Sequence, residues 1–258
     1  MSSQKEKAEL FHSLHVPGRP LVLFNAWDPG SAKAVAAGGA SAIATGSWSV
    51  AAANGYPDGE AMPFELAIDN LTRIAATVAL PVTIDLESGY GNAPHSMAQS
   101  VLRAMRAGAV GCNLEDSFPD GGALRETGDQ ALRLRAARAA ANSLALPFFI
   151  NARTDIFLNA AAQTHDDLMV TNAIVRACSY KEAGASGFFV PGLADKKLIA
   201  RIVKESPLPI NIMVTDITPP LSELAELGVA RVSHGPRPYR QVMKALEEAT
   251  RAAMRTGA

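Results

Sequence analysis

Eight short apolar runs recur along the chain, at Leu21–Asn25, Ala42–Thr45, Val82–Asp85, Gly111–Leu114, Phe148–Asn151, Gly187–Val190, Ile210–Met213 and Arg231–Ser233. Each is too short for a helix and reads as a strand covered on both faces, the pattern of a buried parallel sheet. Longer stretches rich in Ala, Arg and Leu separate them. Met97–Ala107, Asp129–Asn142, Asp166–Ala183 and Val242–Ala253 are the segments that predict helices. The punctuation repeats as well. Gly108, Gly184 and Gly228 each stand between a helical stretch and a strand, where a helix stops. Pro81, Pro147 and Pro209 open strands, where a missing N–H is tolerated. Eight strand–helix units in 258 residues predict one α/β domain over 1–258, a (β/α)8 barrel. An open doubly wound sheet is the rival, but it usually has fewer strands.

Composition narrows the function. Hydrophobic residues make up 48% of the chain, enough for a large core, which excludes intrinsic disorder. Lys and Arg number 24 against 25 Asp and Glu, so no basic surplus exists to neutralise nucleic-acid phosphates. Two cysteines form no disulfide framework and have no zinc-ligand spacing. Both Cys112 and Cys178 read as small core hydrophobes. The first ten residues are polar and charged, and no apolar run approaches the roughly 20 residues of a membrane span. A cytoplasmic protein is expected, with neither nucleic acid nor membrane as partner.

In such a barrel the chemistry sits where strands end and loops begin. Asp85 closes an otherwise apolar strand, Glu87 follows two residues on, and Glu115 ends the neighbouring strand. Three carboxylates at adjacent strand ends repel one another unless a cation lies among them. An all-oxygen donor set favours Mg²⁺ or Mn²⁺ over zinc. Taken one by one, the same carboxylates fit helix caps and loop hydrogen bonds equally well. Arg153 ends the fifth strand and suits a bidentate grip on a substrate carboxylate, with an ion pair to Asp155 or Glu115 as the structural alternative. Thr45-Gly46-Ser47 offers a hydroxyl and accessible N–H groups to a small anion, and Asn211 of the seventh strand is a further substrate-binding candidate. His234 reads as a loop residue.

These motifs, from Leu21 to Tyr239, resemble the isocitrate lyase/phosphoenolpyruvate mutase superfamily. Asn25-Ala26-Trp27-Asp28 is similar to its opening motif. Thr45-Gly46-Ser47 with Gly55-Tyr56-Pro57-Asp58 resembles its substrate loop. Asp85-Leu86-Glu87-Ser88-Gly89-Tyr90-Gly91 resembles its metal motif, and Asn113-Leu114-Glu115-Asp116 and Asn151-Ala152-Arg153-Thr154-Asp155 complete the set. The resemblance implies Mg²⁺-dependent, enolate-type chemistry on a small 2-oxo or 2-hydroxy acid. It makes Asp85 the direct metal ligand, with Asp58, Glu87 and Glu115 holding the metal's waters. Arg153 would bind the carboxylate, and Thr45, Gly46 and Ser47 the carboxylate or oxo oxygen. Asp58, Glu115 and Arg153 form the implied catalytic set. The resemblance also implies a homo-oligomer, a tetramer or dimer, with its C-terminal helix exchanged between subunits.

One departure matters. In the family's lyases the loop after the fourth strand carries a Cys that serves as the acid, and in its mutases it carries Lys and Asn. Here that loop, Ser117 to Glu126, has no Cys, Lys or His. This argues against isocitrate or methylisocitrate cleavage and against the phosphonomutase reaction. Hydrolytic C–C cleavage or decarboxylation of an oxaloacetate-like substrate remains. The alternative is a non-catalytic 2-oxo-acid binding protein. The Gly121-Gly122 pair makes the loop a candidate lid, from which Arg125 could reach a distal anionic group.

Overall fold

The computed structural model describes residues 2–119 and 122–255. All eight expected strands form: β1 (Leu21–Leu23), β2 (Ile43–Ala44), β3 (Val82–Asp85), β4 (Gly111–Glu115), β5 (Phe149–Arg153), β6 (Gly187–Phe189), β7 (Ile210–Met213) and β8 (Arg231–Ser233). They pair in parallel in the order β1-β8-β7-β6-β5-β4-β3-β2. The ring closes between β1 and β2 through one parallel bridge, Ala26 to Thr45, where Ala26 N–H donates to the Ala44 carbonyl at 2.8 Å. The fold is therefore a (β/α)8 barrel. β4 and β5 run one and two residues further than the apolar runs suggest, because Leu114 pairs with Ala152 and Glu115 with Arg153. That register places the acid and the guanidinium side by side at the barrel mouth.

The expected helices appear as α5 (Pro94–Arg106), α6 (Thr127–Ser143), α7 (Asp167–Glu182) and α10 (Arg237–Arg255). Six more form outside the four segments named from the sequence: α1 (Gln4–Ser13), α2 (Pro29–Ala37), α3 (Ser47–Ala53), α4 (Phe64–Thr77), α8 (Lys196–Glu205) and α9 (Leu221–Glu226). Caps rather than apolar periodicity start several of them. Ser3 and Glu6 form a reciprocal capping box on α1, and Asp28 caps α2 with Pro29 in the first turn. Among the described residues, no helix is long and apolar enough to cross a membrane. Cys112 lies buried on β4, whereas Cys178 of α7 is exposed, against its expected core position, because it falls on the outer face of that helix.

α1 closes the lower end of the barrel. Phe11 meets Phe149 edge-on at 5.6 Å, and His15 stacks on the same ring at 3.9 Å. Glycine leaves the space for these rings. A Cβ at Gly111 would sit 2.9 Å from the Phe149 carbonyl oxygen and 3.0 Å from Phe11 Cε1, and one at Gly187 would sit 2.9 Å from the Phe149 ring. Above this layer the interior turns polar. Asn151 donates to Asn113 at 2.9 Å and to Asn211 at 3.1 Å, and Arg231 donates to Asn113 at 3.1 Å. Arg231 is 1% exposed, and burial pulls its guanidinium down to about 9.

Burial, reinforced by the nearby Arg231 charge, pulls the His15 imidazole down to about 3. The unfolded chain's His15 titrates near ~6.5. Below that pH the unfolded state binds a proton that the folded state refuses, so stability falls as pH drops from 6.5 toward 3. The loss is at most about 1.4 kcal/mol per pH unit. We expect denaturant unfolding to show a smaller stability difference between pH 7 and pH 5 in His15→Gln than in the wild type. An identical difference in the two proteins would contradict the assignment.

Candidate active site

Asn25 fastens the upper barrel ends together. Its Oδ1 accepts from His234 N–H at 3.0 Å and Gly235 N–H at 2.9 Å, and its Nδ2 donates to the Thr45 carbonyl at 2.9 Å. The opening motif thus joins β1, β2 and β8 beneath the Thr45-Gly46-Ser47 turn. Thr45 Oγ1 accepts from Asp85 N–H at 3.1 Å, and Asp85 Oδ2 accepts from Ser47 N–H at 3.3 Å. The Asp85 carboxylate is held at the strand end by backbone N–H groups and feels the Arg153 and Arg231 charges.

After Asp85 the chain turns sharply. Glu87, Gly89, Tyr90 and Gly91 all have positive φ, at 51°, 104°, 52° and 146°. At Gly91 a Cβ would lie 2.7 Å from Ser96 Cβ, so only glycine fits. This turn buries the Glu87 carboxylate, whose oxygens accept from Glu60 N–H at 2.5 Å and from the Tyr90 hydroxyl at 3.0 Å. Burial and then the Asp85 charge push Glu87 up to about 7. Partial burial and Asp85 also raise the Asp58 carboxyl, which lies at the exposed rim with a hydrogen bond to the Ser47 side chain.

Arg153 makes both ion pairs considered for it. Its Nη1 lies 2.7 Å from Glu115 Oε2, and its Nε and Nη2 grip Asp155 at 2.5 and 3.0 Å. Burial opposes the Arg153 charge, but Glu115, Asp155 and Asp85 outweigh it and hold the guanidinium above its usual value. Burial raises Glu115, and Arg153 works against that rise. Asp155 is fixed in turn by the Ser117 hydroxyl at 2.7 Å. Asp116 is fully buried and takes hydrogen bonds from Arg176 at 3.0 Å and Tyr180 at 2.9 Å, so it is a structural member of the motif.

Among the described residues, no three His, Cys, Asp or Glu side chains are gathered as a direct metal shell. Glu87 is turned to Glu60 and Tyr90, and Glu115 to Arg153, while the Asp85 carboxylate accepts only backbone N–H groups. That arrangement still fits Mg²⁺, which keeps most of its waters and binds through one or two carboxylates. Asn211 is 1% exposed, and its amide donates to Ile212 and Arg231 carbonyls and to Ser233 Oγ. It joins the buried polar layer of Asn113, Asn151 and Arg231 inside the barrel.

Of the loop from Ser117 to Glu126, Asp120 and Gly121 lie outside the described residues. Arg125 is 5% exposed, lies 3.9 Å over the Phe118 ring and donates to Asn92 Oδ1 at 2.7 Å. It ties the loop to the Asp85–Asn92 turn. His234 rests beside Phe24 and is lowered by burial, as a loop residue. Glu60 was missed at the sequence level, since its partners Ser88 and Tyr90 are 28 and 30 residues away.

The family model for phosphoenolpyruvate phosphomutase matches residues 11–254. The chain is 52% identical to a phosphonomutase-like protein of Burkholderia cenocepacia J2315, with a TM-score of 0.95, covering 97% of this chain and 100% of that one. An uncharacterized protein of Mycobacterium tuberculosis (strain ATCC 25618 / H37Rv) is 38% identical, over 94% of this chain and 88% of that protein. An oxaloacetate decarboxylase of Pseudomonas entomophila (strain L48) is 30% identical, over 76% of this chain and 66% of that protein. In fold the chain is also similar to phosphonopyruvate hydrolase in complex with oxalate and Mg²⁺, at a TM-score of 0.84 and 24% identity, over 98% and 88% of the two chains. A barrel with this strand-end constellation, matched over almost its whole length, belongs to the phosphoenolpyruvate phosphomutase family of enzymes, whose members include lyases, hydrolases and mutases.

Proposed function

We propose that the chain is a Mg²⁺- or Mn²⁺-dependent carbon–carbon lyase that decarboxylates a small 2-oxo dicarboxylic acid of the oxaloacetate type. The observation that carries this reading is the pairing of the strand-end carboxylates about Asp85 and the Arg153 guanidinium with a loop that has no Cys, Lys or His. The similarity to oxaloacetate decarboxylase supports it, as does the fold shared with a hydrolase that holds oxalate and Mg²⁺.

Asp85 would hold the ion directly, and Asp58, Glu87 and Glu115 would hold its waters. When bound, the ion supplies Lewis-acid stabilisation of charge building on the C2 oxygen. Arg153, aimed by Asp155 and Glu115, grips the C1 carboxylate. The Thr45-Gly46-Ser47 turn receives the remaining oxygen. The C3–C4 bond then breaks, C4 leaves as carbon dioxide, and the bonding pair passes into the enolate. C3 later takes one proton to give the 2-oxo acid. Bond cleavage itself needs no proton donor, which suits a loop without Cys, Lys or His.

A loop without Cys, Lys or His equally suits a protein that binds 2-oxo acids without turning them over. A panel of oxaloacetate, malate derivatives, phosphonopyruvate, isocitrate and methylisocitrate with Mg²⁺ separates the two. We expect turnover of the oxaloacetate-type acid at ordinary enzyme rates, of order 1–10³ per second, and none of isocitrate or methylisocitrate. Binding without any turnover would establish the non-catalytic reading.

The protein is also proposed to be a homo-oligomer that exchanges α10. Pro238 is the only buried residue of that helix among those described, and Val242, Leu246 and Met254 are 47%, 59% and 72% exposed. An apolar groove of about 900 Å³ lies beside β1 and α2, lined by Leu14, Leu21, Val22, Phe24, Ala34 and Val35 among others. The same helix from a second copy would fill it. Sedimentation should show a dimer or tetramer, and Leu246→Glu should shift it to monomer with the helical content retained. A monomeric wild-type protein would refute the exchange.

A further inference from the structure

Among the described residues, four non-glycine residues have positive φ, and three of them meet at one place: Glu60 at 60°, Glu87 at 51° and Tyr90 at 52°. A side chain in this region is strained, and such strain persists only where the surroundings enforce it. The three residues hold one another. Glu60 N–H donates to Glu87 Oε2 at 2.5 Å, and the Tyr90 hydroxyl donates to Glu87 Oε1 at 3.0 Å. In return Glu60 Oε1 accepts from Tyr90 N–H at 2.8 Å and from Ser88 Oγ at 2.6 Å. Glu60 thus offers its amide to one carboxylate and its own carboxylate to donors on both sides of Gly89.

The turn has other anchors. Arg133 of α6 donates to the Ser88 carbonyl and, at 3.1 Å, to the Asn92 carbonyl, while Ser100 Oγ donates to the Gly89 carbonyl at 2.8 Å. Those anchors come from α5 and α6. Glu60 comes from the segment that carries Asp58, two residues before it. It therefore joins the two stretches of chain that flank Asp85 at the mouth.

We propose that Glu60 is a positioning residue, which locks the strained Glu87–Tyr90 turn and fixes the spacing of Asp58 and Glu87 about Asp85. Its effect on a divalent ion rests on the functional reading above, whereas its effect on the turn does not. If the lock were absent, Glu87 and Tyr90 would relax to negative φ, and the Glu87 carboxylate would leave its buried place. Glutamine at position 60 keeps the accepting Oε1 and the backbone N–H, so it preserves both halves of the lock. Alanine loses the acceptor and leaves the Tyr90 amide and the Ser88 hydroxyl unpaired.

The test compares wild type, Glu60→Gln and Glu60→Ala in two measurements. Amide hydrogen exchange without metal reads the Tyr90 amide and the 85–92 segment directly. Faster exchange is expected in Glu60→Ala, and wild-type exchange in Glu60→Gln. Titration with Mn²⁺ alone should show a loss of about 10- to 100-fold in affinity for Glu60→Ala, the range for residues that orient ligands from outside, with Glu60→Gln close to wild type. Unchanged exchange in Glu60→Ala would overturn the lock. Faster exchange with unchanged Mn²⁺ affinity would overturn its link to the site. A wild-type protein that binds no Mn²⁺ would sink the metal reading and that link together, while exchange would still decide the lock. Ser88→Ala removes one donor to the same oxygen, and it should shift exchange in the same direction by less. It keeps the test decisive should Glu60→Ala not fold.

Discussion

Replacing Asp85 with alanine is expected to abolish divalent-ion binding, with a loss of at least about 100-fold, beyond what a supporting residue alone would cost. Asp85 forms no direct ion pair among the described residues, and its charge helps to raise Asp58 and Glu87. Removing it relieves that repulsion in the metal-free protein. Asp85→Ala should therefore unfold at the same denaturant concentration as the wild type or a higher one, the signature of a residue kept for function at the expense of stability. Calorimetric titration with Mg²⁺ and equilibrium unfolding check the two halves. Undiminished affinity for Mg²⁺ would refute the assignment, and a large drop in stability would make Asp85 structural instead.

Arg153 is expected to behave in the opposite way. Its side chain is 14% exposed and serves two acids, Glu115 and Asp155, whose side chains are 12% and 5% exposed. Arg153→Met strands both, and breaking a buried pair by removing one partner costs about 3–5 kcal/mol. Oxalate affinity should vanish along with the stability. Arg153→Lys keeps a charge but cannot bridge both acids, so it should fall between the two in unfolding and still bind oxalate poorly. Wild-type stability in Arg153→Met would show that the ion pairs contribute nothing, and oxalate binding unchanged in both variants would remove Arg153 from the site.

The architecture was legible because parallel strands in a barrel are covered on both faces, so their apolar runs stand out against the helices. Helix starts were less legible. The Ser3–Glu6 capping box and the Asp28-Pro29 start are local signals that were present and unread, and α8 carries both the Asp195 cap and an apolar face of Leu198, Ile199 and Ile202. Arg231 opens the eighth apolar run, and its side chain turns into the barrel interior, where Asn113 receives it. No local pattern tells an inward arginine from an outward one. At the site, the strand-end carboxylates and Arg153 were read from position alone. The division of labour among them was not, because it depends on pairings across the mouth such as Glu115 with Arg153 and Glu87 with Glu60.

The central claim is that this cradle breaks a carbon–carbon bond with a metal and without a loop Cys, Lys or His. Carbon dioxide release from oxaloacetate, followed with Mg²⁺ and again with excess chelator, tests it most directly, with Asp85→Ala as the control for the metal-catalysed background. The account predicts release by the wild type well above that control when Mg²⁺ is present, and release no faster than the buffer when the chelator is added. Release that persists undiminished in chelator, or that Asp85→Ala matches, would contradict it.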